Sequence, residues 1–158
     1  MKRKYIVIGV ILLCALDLGL KFLAKAYLMS PVSIIPNVLY LPYIENQGAA
    51  WGMLSGARVF FIIISFGCLY ILIKEMLTKP ITKPLAIAYI LVMGGLLGNL
   101  IERILYGYVT DYIQIIIGSY HFPIFNLGDM LIVIAVILLL IIYIRGEKHE
   151  FCNYRTNW

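Results

Sequence analysis

The stretch "LAIAYILVMGGLLGNLIERILYGYVTDY", Leu85 to Tyr112, decides how this chain is read. Leu85–Leu97 carries no charge, and the segment then supplies Asn99, Glu102, Arg103 and Asp111. A bilayer-spanning helix needs roughly 20 mostly apolar residues. Leu85–Tyr106 meets that length, with charge only at its far end. Three further segments qualify. Tyr5–Leu28 is apolar to Leu16 and then carries Asp17, Lys21 and Lys25; the others are about Val59–Ile73 and Leu127–Ile144.

Composition agrees. The 158 residues are 63% hydrophobic and 13% charged, with a mean hydropathy of +0.95. Soluble domains have about 45–50% apolar and about 25% charged residues. The expectation is one all-α membrane domain over residues 1–158, a bundle of four transmembrane helices. The net charge of +5 comes without a basic patch interleaved with aromatics, so no nucleic-acid partner is expected. The cations instead cluster at the ends of apolar runs, where they act as topology signals. Lys2, Arg3, Lys4, Lys74, Lys79, Lys83, Arg145, Lys148 and Arg155 fall on one side. Lys21, Lys25, Arg58 and Arg103 fall on the other. Both termini are therefore expected in the cytoplasm, with the loops Met29–Ala57 and Gly107–Phe125 outside.

The basic start followed by an apolar run invites comparison with a cleaved leader. "ILLC" lacks the small residue a lipoprotein processing site needs before its cysteine, so a retained helix is expected. Cys14 and Cys68 lie in apolar runs and read as buried thiols; Cys152 adds no metal spacing. His121 and His149 stand apart, so no metal site is expected. The first outer loop, "VLYLPYIENQGAAWGML", is rich in β-branched and aromatic residues. It is expected to form a small β-like segment on the extracytoplasmic surface, with Trp51 and the tyrosines in the interfacial belt.

On this topology the polar groups of the apolar segments gather at one depth. Asp17 and Lys21 lie in the outer half of the first helix, Asn46 in the first outer loop, and Asn99, Glu102 and Arg103 at the outer end of the third. Asp111 is in the second outer loop, and Asn126 and Asp129 open the fourth helix. Each has an ordinary structural explanation. Asp17, Lys21 and Lys25 share one helix face and can pair. Arg103 suits a helix C-terminus. Asn126 and Asp129 read as an N-cap with an acid at the third helical position. Together they exceed what bundle packing requires, because small and hydroxyl residues suffice for that. A charge in hydrocarbon costs on the order of 2.5–3.5 kcal/mol and so marks a cavity or a partner. Asp111 and Asp129 flank one short loop and can approach each other. Two close carboxylates cannot both ionise readily, so one stays protonated while the other acts as base.

The blocks "DLGLK" (Asp17–Lys21), "ENQGAAWG" (Glu45–Gly52), "GNLIER" (Gly98–Arg103), "YGYVTDY" (Tyr106–Tyr112) and "FNLGD" (Phe125–Asp129) resemble, in order, the signature blocks of signal peptidase II, the lipoprotein signal peptidase family. The resemblance implies an aspartic endopeptidase of the bacterial cytoplasmic membrane. Such an enzyme removes the signal peptide of diacylglyceryl-modified prolipoproteins, near the outer leaflet and in contact with membrane lipid. It implies catalytic roles for Asp111 and Asp129. Asp17, Lys21, Asn46, Gly48, Asn99, Glu102, Arg103 and Asn126 would bind substrate or brace the site. No cofactor or metal is implied, and a monomer is expected. The chain departs from the family pattern at Glu102, where Asp is common, at Trp51 for Phe, at Thr110–Asp111–Tyr112 for V-D-F, and at Gly128 for Ala. Two other classes stay open at this point: a small transporter or channel subunit with the carboxylates as an ion path, and an inactive homologue that binds lipoprotein precursors without turnover.

Overall fold

The computed structural model describes residues 2–48 and 53–155, with residues 146–155 described by backbone alone. Trp51 and the side chains of Lys148, His149, Cys152 and Arg155 lie outside what is described. The elements in order are α1 (Arg3–Tyr27), β1 (Val32–Ile35), β2 (Leu39–Leu41), β3 (Ile44–Asn46), α2 (Arg58–Thr78), α3 (Lys83–Leu105), β4 (Val109–Asp111), β5 (Gln114–Ile117), β6 (Tyr120–His121) and α4 (Leu127–Arg155). Arg3–Tyr27, Arg58–Thr78, Lys83–Leu105 and Leu127–Arg145 are long and apolar enough to cross a bilayer.

α3 is the central helix and packs against the other three. Its starting signals are local. Thr82 Oγ1 accepts from Leu85 N at 3.4 Å, and Pro84 occupies the first turn, where its missing N–H costs nothing. Arg58 closes the other end by donating to Arg103 O and Ile104 O, each at 2.7 Å, which satisfies carbonyls that have no intrahelical partner. Close approach in the middle depends on glycine. A Cβ on Gly95 would overlap the carbonyl of Gly128, and one on Gly98 would overlap the carboxylate of Asp17. α3 therefore lets α1 and α4 approach to backbone distance, as small residues do in membrane bundles.

The core runs along α3 through Ala86, Tyr89, Val92, Met93 and Leu100, joined by Ile6, Val10, Leu69, Met76 and Ala135. The outward faces are apolar as well. Phe22 is 70% exposed and Ile63 65%, whereas Asp17 is 0% and Lys21 1% exposed. Exposed large hydrophobics around a buried ion pair are the pattern of a protein whose solvent is lipid. Cys14 is buried as expected, but Cys68 is exposed on α2. An apolar run in lipid does not imply burial in protein, and that is why the expectation fails for Cys68.

α2 continues to Thr78 rather than stopping near Ile73. Lys74 and Glu75 are good helix formers, and Glu75 pairs with Lys79 at 2.7 Å. The helix ends where Lys79 meets Pro80, because a residue before proline is disfavoured in the α conformation. α4 likewise runs past Ile144 to Arg155.

The β structure is larger than the sequence suggested, since the second connecting segment supplies half the strands among the described residues. Two sheets form, one in the order β1-β2-β5-β6 and the other pairing β3 with β4. The "QIII" run has strand composition, and Gly118 at φ 62° turns it back into β6. β2 pairs with β5 through Leu39↔Ile115 and Tyr40↔Gln114. β3 pairs with β4 through Ile44↔Asp111 and Asn46↔Val109. This second ladder brings the Asn46 and Asp111 side chains together from opposite connecting segments.

Candidate active site

Asp111 ends β4 and is held on both oxygens. Asn46 Nδ2 donates to Oδ2 at 2.8 Å, and Asn126 Nδ2 donates to Oδ1 at 2.6 Å. The chain just beyond is pinned as well, with Tyr112 N and Ile113 N both donating to Phe125 O at 3.0 and 2.9 Å. Asp111 is 2% exposed. Burial, reinforced by the charge of Asp129, raises its pKa to about 6, against the lowering effect of the two asparagine donors.

Asp129 stands in the first turn of α4, in a reciprocal cap with Asn126. Asp129 N donates to Asn126 Oδ1 at 3.0 Å, and Asn126 N donates to Asp129 Oδ2 at 3.2 Å. The other oxygen of Asp129 accepts from Asn99 Nδ2 at 2.8 Å. The structural explanation of Asn126 as a cap therefore holds, and it is incomplete. The same amide reaches the Asp111 carboxylate with its nitrogen, so one side chain links that carboxylate to the backbone of Asp129.

Behind the aspartates lies a buried ionic cluster. Lys21 Nζ is 2.7 Å from Asp17 Oδ2 and 3.4 Å from Glu102 Oε2, and donates to Asn99 Oδ1 at 2.6 Å. Asp17 Oδ1 accepts from Gly128 N at 2.7 Å, which ties α1 to the start of α4. Glu102 accepts from both the backbone N and the hydroxyl of Thr110, each at 2.7 Å. Gly48 N donates to Asn46 Oδ1 at 2.9 Å, and Gly48 O accepts from Arg103 at 3.3 Å. The Arg103 guanidinium lies 4.9 Å from the centre of the Phe61 ring. Asp17, Lys21, Asn46, Gly48, Asn99, Glu102, Arg103, Asp111, Asn126 and Asp129 thus converge on one end of the bundle. Lys25 does not join them. It lies at the surface, donates to Tyr108 Oη at 3.0 Å and sits over the Tyr106 and Tyr108 rings.

Both aspartates, with Asn46, Asn99 and Arg103, line a cavity of about 690 Å³ whose remaining wall is mostly apolar, including Phe61, Leu96, Ile132 and Val133. A few convergent polar groups at the edge of an apolar cavity form a site for a largely apolar ligand.

Residues 9–145 match the family model described as signal peptidase (SPase) II. The chain belongs to the signal peptidase II family. It is 35% identical over 144 residues to the lipoprotein signal peptidase of Halothermothrix orenii, covering 91% of this chain and 97% of that one. It is 34% identical over 146 residues to the lipoprotein signal peptidase of Francisella tularensis subsp. novicida, covering 88% and 90%. A bacterial membrane enzyme solved by the in meso method at 2.3 Å resolution superposes with a TM-score of 0.84 at 31% identity, covering 92% of this chain and 91% of that one. A second such structure, at 1.9 Å resolution, has a TM-score of 0.79 at 32% identity, covering 89% and 92%. Membership in signal peptidase II makes the protein a membrane-spanning hydrolase of the protease class.

Sequence reasoning missed several residues of this signal peptidase II site. Thr110 was noted only as a departure in the V-D-F block, yet it touches a second departure, Glu102. Tyr112 accepts from Leu127 N at 3.3 Å. Gly95 and Gly98 set the helix spacing, and Gly128, noted only as a departure, is where Gly95 meets α4. Two departures from one pattern, eight residues apart, were the available signal for the first of these. No local pattern marks the glycine contacts, because they depend on helix packing.

Proposed function

We propose that the protein is an aspartic endopeptidase of the bacterial cytoplasmic membrane. It cleaves the signal peptide from diacylglyceryl-modified prolipoproteins just before the lipidated cysteine, using water activated between Asp111 and Asp129. The observation that carries this reading is that both aspartates line one apolar cavity while Asn126 links the Asp111 carboxylate to the backbone of Asp129. The distribution of Lys and Arg supports a single domain with four spans, both termini in the cytoplasm and the site near the outer leaflet.

The signal helix would enter sideways from lipid along the apolar wall, with the acyl chains remaining in the bilayer. Asp129, which accepts from Asn99 and Asn126 N, takes a proton from the water as its oxygen attacks the scissile carbonyl carbon. Asp111, carrying a proton up to about pH 6, donates a hydrogen bond to the carbonyl oxygen. The tetrahedral intermediate then collapses, the C–N bond breaks, and a proton passes to the leaving nitrogen. Arg103 and Asn46 line the same cavity within reach of peptide carbonyls. This chemistry uses the chain's own residues, acting in a monomer.

An ion path is disfavoured by the core at the opposite end of the bundle, where Ile6, Val10, Met76 and Ala86 pack together. In detergent, Asp111→Asn and Asp129→Asn are each expected to abolish cleavage of a diacylglyceryl-modified prolipoprotein. Normal cleavage by either variant sinks the proposal, and binding without turnover by the wild type would make the chain an inactive homologue.

A further inference from the structure

Among the described residues β4 has one strand neighbour, β3, and its other edge faces α3. There the carboxylate of Glu102 replaces a second strand. It takes the backbone N–H of Thr110 on one oxygen and the Thr110 hydroxyl on the other, both at 2.7 Å. Glu102 is 4% and Thr110 1% exposed, so neither has water as an alternative partner. Two bonds from a rigid helix fix both the position and the rotation of Thr110 about the strand axis. The next residue is Asp111.

The same helix holds the opposite aspartate. Asn99, on the same face of α3 and nearly one turn before Glu102, donates to Asp129. Lys21 contacts both holders, Asn99 Oδ1 at 2.6 Å and Glu102 Oε2 at 3.4 Å. Two arms therefore leave α3 about a shared cation, one ending at each aspartate. Their spacing along α3 is set by helix geometry, independently of the loops that carry Asp111.

We propose that Glu102 and Thr110 are a positioning pair, which sets where the Asp111 carboxyl stands relative to Asp129. This rests on the aspartyl reading above. Neither residue touches substrate. Loosening the pair lets Asp111 drift from Asp129, and a misplacement of about 1 Å costs on the order of 100-fold in rate.

The test uses full-length enzyme in detergent cleaving a diacylglyceryl-modified prolipoprotein, with kcat, KM and the pH profile of kcat measured separately. Thr110→Val removes the hydroxyl at nearly constant shape. It is expected to lower kcat roughly 10- to 100-fold with KM within about twofold. It should also narrow the bell-shaped profile, because separating two carboxyls weakens their coupling and brings their apparent pKa values together. Thr110→Ser keeps the hydroxyl and should restore both height and width. Glu102→Asp, shorter by about 1.5 Å, should resemble Thr110→Val, and the double variant should be no worse than the weaker single one. A merely structural role would lower the profile without changing its width. A folded Thr110→Val enzyme with wild-type kcat and width overturns the proposal. If that variant does not purify folded, Thr110→Ala against Thr110→Ser makes the same comparison. A wild type that fails to cleave would refute the aspartyl reading itself, a different outcome from wild-type cleavage unaffected by the Thr110 variants.

Discussion

Replacing Asn126 by alanine removes two bonds of different kinds from one position. The first is the cap: Asn126 Oδ1 accepts from Asp129 N at 3.0 Å, and loss of such a side chain costs about 1 kcal/mol of helix stability. That cost is independent of pH. The second is the 2.6 Å bond from Nδ2 to Asp111 Oδ1. A hydrogen bond to a charged group contributes about 1.5–3 kcal/mol, and one pKa unit corresponds to about 1.4 kcal/mol. The donor favours the ionised carboxylate, so its loss should raise the Asp111 pKa from about 6 by roughly 1–2 units. The alkaline limb of kcat/KM, where Asp111 loses its proton, should move up by that amount. Stability should follow. Because the Asp111 pKa is raised from 3.8 to about 6 by folding, the native state binds the extra proton between those values. The contribution of Asp111 to stability is then fully present below about pH 4 and is lost as pH rises through about 6, a change of roughly 3 kcal/mol. In Asn126→Ala that loss should continue to about pH 7–8. The assays are kcat/KM against pH in detergent and thermal unfolding at matched pH values. An alkaline limb that stays in place or moves down would refute the claim that Asn126 acts on Asp111.

Two further perturbations probe the frame behind the aspartates. Gly98→Ala puts a methyl into the Asp17 carboxylate, which holds Gly128 N. It should cost about 1–3 kcal/mol of stability and lower cleavage together with melting temperature, whereas Ala at the uncrowded Gly67 should do neither. Lys21→Met removes the cation shared by Asp17 and Glu102, and should cost on the order of 3–5 kcal/mol in thermal unfolding. Asp17→Asn combined with Lys21→Met should recover part of that loss, and an additive double variant would show that the pair is not coupled.

The four helices were legible because a bilayer imposes a length and an apolar composition that local sequence must meet. Their ends were less legible. Charge at Lys74 and Glu75 suggested a stop, but the helix hydrogen-bond ladder continues until Pro80 interrupts it. The strands of the second connecting segment were not legible in advance, although "QIII" followed by Gly118 is strand-like, because so short a run becomes a strand only by pairing with β2, far away in the chain. Every polar residue singled out for the site converges at one end of the bundle, and Lys25, read as an interface residue, stands apart from them at the surface.

Sequence by itself determined that polar groups would cluster at one depth, since buried charge in an apolar chain needs partners. It could not determine which partners. The Asn126 bridge, the Glu102 hold on Thr110 and the contact of Asp17 with Gly128 join residues from different helices and strands. The first two follow from where β4 packs against α3, and the third from how closely α1, α3 and α4 approach at Gly95 and Gly98. That approach depends on packing between distant segments, and no local pattern encodes it.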